Sequence, residues 1–304
     1  MTAENVRIKP TKYRDLDAAA CDRLFLKGRY LLTGLGIALL LVTLAVFLIH
    51  RELSFWLYLL IIVLIVFVFR RLLAMQLAGL YHILYTDCDP VKFLQLMEVQ
   101  GKRLGKKAGR TTRHLIRAMA LSYLEDWDAV YQELGQFQAR QVKNRNLKYL
   151  HLNLLGDYCL AKDQREDFEA CRQQLLKLGE NGKARDKVFV DRVLLVWDRR
   201  IACLGQDRER ERESLQKLLA EQKKYLIQVV IWNFRLAQLD LLEGREEDAE
   251  ARLRFAAEYG NTLPVRAWAE ELLERELQPL PEAWADREEK EERTGEKDHG
   301  NDTE

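Results

Sequence analysis

Between Leu31 and Phe69 the chain runs through two apolar stretches, broken only by His50, Arg51 and Glu52 beside Leu53 and Ser54. The first, 31–49, carries no charge, and at ~1.5 Å rise per residue a helix of that length matches a hydrocarbon core of ~30 Å. The second, 53–69, is shorter and includes Ser54, but Arg70 and Arg71 at its end can snorkel back to the water interface. Trp56 and Tyr58 stand near its start, where amphipathic rings favour the headgroup level. A pair of buried core helices is the alternative, yet such helices admit polar residues along one face. A secretory signal has neither a long polar segment ahead of it nor a second span directly behind it. The pattern predicts a transmembrane hairpin with spans at about 31–49 and 53–69.

So short a linker puts both ends on one side of the membrane. Arg7, Lys9, Lys12, Arg14, Arg23, Lys27 and Arg29 precede the first span and Arg70 and Arg71 follow the second, while the linker offers only Arg51. The positive-inside rule then predicts that both termini are cytoplasmic. Gly34 and Gly36 are candidates for close approach of the two helices. Segment 1–30 reads as a cytoplasmic lead-in, with a short interfacial helix over 11–30 or simply a basic polar stretch.

With 304 residues, 48% hydrophobic and 31% charged, the rest of the chain is large enough for one sizeable water-facing module. A formal net charge of +1 argues against a global nucleic-acid-binding character. Cys21, Cys88, Cys159, Cys171 and Cys203 are odd in number, scattered and without a CxxC pair, so they read as reduced, buried thiols.

Beyond Arg71 the apolar periodicity continues through Leu72, Met75, Leu80 and Ile83, so the second helix is expected to run on into the cytoplasm. Asp89 followed by Pro90 has the form of an N-cap and first helical residue. Apolar-periodic segments then begin near Thr112, Leu147, Lys187 and Leu226, each followed by a polar break and a second helical pattern. In the last unit Leu236, Ala237, Gly244, Ala249, Leu253 and Ala256 fall at the offsets of small and large packing residues in a tetratricopeptide repeat, with Pro264 soon after. Trp127, Val130, Leu134 and Phe137, then Phe168, Cys171, Leu175 and Leu178, follow the second-helix spacing, and Leu215, Leu218 and Leu219 follow a turn around Gly205.

On these residues the chain resembles the tetratricopeptide-repeat family over roughly 111–260. No unit keeps the full tryptophan, leucine-glycine, tyrosine signature, and the middle spacing is longer than the family's, so another two-helix repeat fits the pattern as well. The resemblance implies stacked helical hairpins, and with the two spans the expected protein is all-α: a two-helix transmembrane hairpin (31–71) followed by a cytoplasmic α-solenoid of TPR-like helical hairpins (72–278). Tyr225 to Phe234 has strand-like composition, but its place in the repeat predicts helix. Residues 266–278 read as an amphipathic closing helix, and the acidic tail 279–304 is expected to be disordered.

The chemistry-bearing residues form no catalytic pattern. GKRLGKK at 101–107 is close to a phosphate loop but lacks its glycine spacing, the following Ser or Thr and a preceding strand. His50, His82, His114, His151 and His299 are dispersed, without metal-ligand spacing or a neighbouring nucleophile. We expect no enzyme activity, no cofactor and no metal.

Two features suit binding. Lys102, Arg103, Lys106, Lys107, Arg110, Arg113 and Arg117 form the strongest charge cluster, fit either for anionic lipid headgroups or for a solvated loop; nucleic acid is the weaker option, since no aromatic residues interleave. Asn144, Asn146, Lys148, His151 and Asn153 are candidate groove residues for a protein partner, because similar repeat proteins hold an extended peptide there. The expected function is a bacterial-type, membrane-anchored scaffold or adaptor that docks a protein at the cytoplasmic face. The alternatives are anionic-lipid or nucleic-acid tethering through the basic cluster, or an accessory subunit of a larger membrane complex.

Overall fold

The computed structural model describes residues 11–49, 55–104, 110–137, 144–221 and 225–275. Every regular element among them is an α-helix, in the order α1 Ala18–Ile49, α2 Phe55–Tyr85, α3 Pro90–Leu104, α4 Arg110–Ser122, α5 Trp127–Gly135, α6 Arg145–Ala161, α7 Arg165–Glu180, α8 Ala184–Leu204, α9 Arg208–Glu221, α10 Leu226–Leu242, α11 Glu246–Tyr259 and α12 Pro264–Glu274. The acidic tail lies outside the described residues.

The expected short helix over 11–30 is not separate. Asp17 caps the start of α1, its carboxylate accepting the Ala20 amide at 2.6 Å, and the helix then runs unbroken into the first apolar stretch. α1 and α2 pack as an antiparallel pair whose register is fixed by two close approaches. A Cβ on Gly36 would sit 3.0 Å from Phe69 Cδ1, and one on Gly28 would sit 2.9 Å from Gln76 Nε2. Gly34 has nothing near it, so of the two candidate glycines only Gly36 lets the helices close. Both helices are long and apolar enough to cross a membrane, and only 6% of each apolar window is buried. Their large side chains face outward: Leu31 is 71% exposed and Trp56 73%.

From α4 on, successive helices pair as hairpins, α4 with α5, α6 with α7, α8 with α9 and α10 with α11, and neighbouring hairpins pack on each other. The same turn joins the two helices each time. Glu125, Asp163, Gln206 and Gly244 each stand two residues before the second helix with positive φ, at 58°, 50°, 55° and 73°. The amide after each bonds the carbonyl five residues before it: Asp126 to Leu121 at 3.3 Å, Gln164 to Cys159 at 2.8 Å, Asp207 to Ala202 at 2.8 Å and Arg245 to Asp240 at 2.8 Å. Such a bond satisfies carbonyls that a helix end leaves open, at the cost of one left-handed residue. Cys88, at φ 51°, takes the same place between α2 and α3. Glycine is the residue suited to that conformation, yet only one of these five turns has it. In the third hairpin Gly205 keeps an ordinary φ of −84° and Gln206 bears the left-handed turn.

The row of hairpins returns to its beginning. α10 packs on α2, with the rings of Tyr225 and Tyr85 4.6 Å apart. Asn261 Nδ2 donates to the Asp87 carbonyl at 2.8 Å and Thr262 Oγ1 to Asp89 Oδ1 at 2.9 Å. The same corner holds the N-terminal segment: the Thr11 amide donates to Asp87 Oδ1 at 3.1 Å, its hydroxyl bonds the other carboxylate oxygen, and Lys92 Nζ donates to the Arg14 carbonyl at 2.7 Å. One apolar core accordingly contains Cys21 and Phe25 of α1, Leu84 of α2, Leu115 of α4 and Ile227, Leu253 and Leu272 from the last three helices. A second core joins α6, α7 and α8 around Tyr149, Leu175 and Trp197, and a third joins α9 to α10 around Leu215 and Leu236.

Candidate functional site

Closing the row of hairpins brings polar and aromatic side chains from distant parts of the chain together. Tyr85 at the end of α2 meets Tyr225 and, at 6.5 Å edge-on, Tyr123 from the end of α4. Gln228 of α10 hydrogen-bonds the Tyr123 hydroxyl, and burial together with the Asp157 charge holds that phenol well above its usual range. Asp157 of α6 is buried and faces Arg200 of α8, whose guanidinium donates to the Asp157 carbonyl at 3.2 Å, stands 3.5 Å from its carboxylate and lies 5.1 Å over the Trp127 ring. Burial raises the Asp157 carboxyl; Arg200, Arg199 and the Trp197 indole pull it back. Glu125, in the left-handed turn, is open to water yet crowded by surrounding protein, and this crowding raises its carboxyl against the pull of Arg200 and Arg199. Tyr85, Tyr123, Trp127, Arg199, Arg200, Tyr225 and Gln228 are all half-buried, so solvent still reaches part of each.

The cluster continues into a buried ionic network. Arg199 reaches Glu211 of α9 at 3.6 Å, and Glu211, 1% exposed, is held by Arg235 of α10 through both carboxylate oxygens at 2.8 and 3.0 Å. Arg235 also donates to Cys203 Sγ at 3.0 Å. Asp240 of α10, also 1% exposed, is ion-paired with three arginines: Arg212 at 2.7 Å, Arg245 at 2.9 Å and Arg252 at 2.9 Å. Arg252 extends to Asn233 Oδ1 at 3.2 Å. A charge as buried as these requires such partners, and with them α9, α10 and α11 are fixed relative to one another.

The residues picked out by sequence are placed differently. Asn144 is the N-cap of α6, its side chain accepting the Asn146 amide at 2.9 Å. Asn146 and Asn153 lie two turns apart on one side of α6, and Lys148 and His151 lie on the other, since each residue advances ~100°. His151 stacks on Phe137 at 4.8 Å, and burial lowers its pKa, favouring the neutral ring. These five residues do not converge. Of the basic cluster, Lys106 and Lys107 lie outside the described residues, and Arg110 opens α4. Arg103 pairs with the buried Asp22 of α1 at 3.0 Å, Lys102 with Glu98 at 2.9 Å, and Arg117 with Glu133 at 2.7 Å; His114 shares that carboxylate at 2.5 Å. Arg113 lies against Gly101, its guanidinium 2.9 Å from where a Cβ would stand.

Sequence reasoning passed over Tyr123, Glu125, Asp157, Arg199, Arg200 and Tyr225. A signal existed: Asp157 in LLGDYCL, Arg199 and Arg200 in WDRRIACL, and Asp240 in LAQLDLL are charges set inside apolar runs, where an unpartnered charge is costly. Which charges meet depends on chain closure, which no local pattern encodes. Among the described residues no group of His, Cys, Asp and Glu is arranged to hold a metal ion. No family model matches this chain, and neither the curated proteins nor the solved structures contain a match to it.

Proposed function

We propose that this chain is a membrane-anchored scaffold: α1 and α2 cross the bilayer as a hairpin with both ends cytoplasmic, and α3–α12 form a TPR-like solenoid that docks a protein partner. The observation that carries the docking site is the convergence of Tyr123, Glu125, Trp127, Asp157, Arg200 and Tyr225, drawn from four hairpins, into one cluster whose aromatic and arginine members remain partly open to solvent. Half-buried aromatic rings and arginine grouped in this way suit a protein ligand, because such side chains carry most of the binding energy at protein interfaces. The outward-facing apolar residues of α1 and α2 support insertion, because water would oppose so large an apolar surface. The basic residues on the lead-in and after α2 support the orientation. Anchoring raises the partner's effective concentration at the membrane, and the reading asks for no chemistry from the chain. Tethering through the basic cluster is less well supported, since Lys102, Arg103 and Arg117 already have acidic partners.

The test is affinity capture from membranes solubilised in mild detergent, comparing the native chain with Glu125→Lys and Arg200→Ala. A protein that survives a high-salt wash on the native chain and is lost from both variants, with their helix content unchanged, supports the scaffold reading. Equal recovery on all three baits overturns the assigned surface.

A further inference from the structure

The register of the two apolar helices places two charges where the sequence alone does not. Phe69 lies against Gly36 and Gln76 against Gly28, so Arg70 and Arg71 stand level with about Leu35 and Gly34 of α1. That position is inside the uncharged run of α1, about one helical turn beyond its start at Leu31. α2 agrees. From Phe55 to Phe69 it rises only about 22 Å, short of a ~30 Å hydrocarbon core, whereas extending it to Ala74, which the same register sets level with Leu31, gives about 30 Å. The surface bears this out, for Met75 and Leu77 below the arginines are 61% and 51% exposed, as Val66, Phe67 and Val68 are exposed above them. Phe69 is turned to α1, so the next two residues lie on the sides of α2 facing away from it.

Both arginines are exposed, and neither has an ion pair or hydrogen bond among the described residues. No Asp or Glu occurs from Arg23 to Ile49 or from Phe55 to Thr86, so neither helix offers a carboxylate at this level. Arg103, Arg117, Arg200, Arg212, Arg235 and Arg252 each have an acidic partner. Two adjacent guanidinium groups within an apolar belt call for an anion that can itself enter the belt's edge, and guanidinium forks match phosphate oxygens. We propose that Arg70 and Arg71 form a binding site for the phosphate of a phospholipid of net negative charge in the leaflet nearest the repeat domain. The inference rests on the membrane-spanning reading of α1 and α2. A zwitterionic headgroup fits less well, because its own cation would face two unpaired positive charges.

The experiment titrates the full chain, purified in mild detergent, with phosphatidylglycerol or phosphatidylcholine, counting bound lipids by native mass spectrometry. At roughly a fivefold gain per basic residue, phosphatidylglycerol is expected to bind about 30-fold more tightly. Arg70→Gln/Arg71→Gln should bring the ratio close to one, and Arg70→Lys/Arg71→Lys should retain part of it. Arg23→Gln/Lys27→Gln, which removes two charges further from the belt, should leave it unchanged. Equal binding of the two lipids to the native chain overturns the site, as does a preference that survives Arg70→Gln/Arg71→Gln or is lost equally in Arg23→Gln/Lys27→Gln. A co-purifying membrane protein that depends on Arg70 and Arg71, with no lipid preference, also overturns it by identifying a carboxylate on another helix as the occupant. Thermal unfolding in the same detergent shows that each variant is folded. Extraction of the native chain from vesicles by alkaline carbonate separates the two readings: release defeats the spanning reading and the site with it, whereas retention with equal lipid binding defeats the site alone.

Discussion

The two halves of this molecule solve the burial problem in opposite ways. In α1 and α2 the large apolar side chains face outward and the pair touches along a thin seam, with Gly36 against Phe69 and Phe47 against Tyr58 at 4.8 Å. In α4–α12 the apolar side chains face inward, and several charged residues are inside with them, each surrounded by opposite charge. Such a contrast is what the proposed membrane anchoring requires of a chain that must meet two solvents. Where lipid is the expected solvent no polar network is needed; where water is, the hairpins are bound together by ion pairs as well as by packing.

The charged interior depends most on Asp240. Asp240→Ala strands Arg212, Arg245 and Arg252 around a buried site and should destabilise the helical domain by about 3–5 kcal/mol, read from thermal unfolding of the full chain in detergent. A loss under 1 kcal/mol would show that the ionic network does not hold the last hairpins together.

Helical glycines give a paired test. A Cβ on Gly156 would lie 2.3 Å from Trp197 Cζ2, and Trp197 is fully buried, so Gly156→Ala should cost about 2–3 kcal/mol. Gly34→Ala meets nothing and should leave stability unchanged or slightly raised, with Gly36→Ala between the two because Phe69 must yield. Equal losses at Gly156 and Gly34 would contradict the contrast between a packed interior and an open seam.

Acidification acts on the same interior. Burial raises the Asp157 and Glu125 carboxyls above their unfolded values, so the folded state binds these protons more readily. Their contribution is fully present below the usual carboxylate value near pH 4 and is lost as pH rises through the raised values. Glu125→Gln/Asp157→Asn should flatten the dependence of the melting temperature on pH above about 4. An unchanged slope would show that neither carboxyl is perturbed. The smallest effect is expected in the turns: Gln206→Gly relieves a left-handed non-glycine residue and should stabilise by about 0.5–1 kcal/mol, less whatever glycine adds to unfolded-chain entropy.

Much of the helical layout was legible. Segments expected to begin near Thr112, Leu147, Lys187 and Leu226 correspond to α4, α6, α8 and α10, because apolar spacing reports directly on which face of a helix is buried. Asp89 and Pro90 open α3 as expected, the Asp89 carboxylate accepting the Lys92 amide at 3.0 Å. The recurrent turn was not legible, since its left-handed position is filled by Cys, Glu, Asp, Gln and Gly in turn and only the last carries a compositional signal. The candidate site was missed for a different reason. Asn144, polar and near a helix start, is the N-cap of α6, because a helix start leaves amides that need a partner.

Residue order along the chain is enough for the elements and their preferred surroundings: two helices apolar enough to cross a membrane, then hairpins with one apolar face each. Packing sets the rest: the α1–α2 register that puts Arg70 and Arg71 one turn into the apolar belt, and the return of α10 onto α2 that gathers Tyr85, Tyr123 and Tyr225. The reason is the range of the forces. Periodicity and capping act within a few residues, whereas the partner of a buried charge or ring is fixed by how the hairpins stack, and that stacking joins residues as far apart as Asp87 and Asn261.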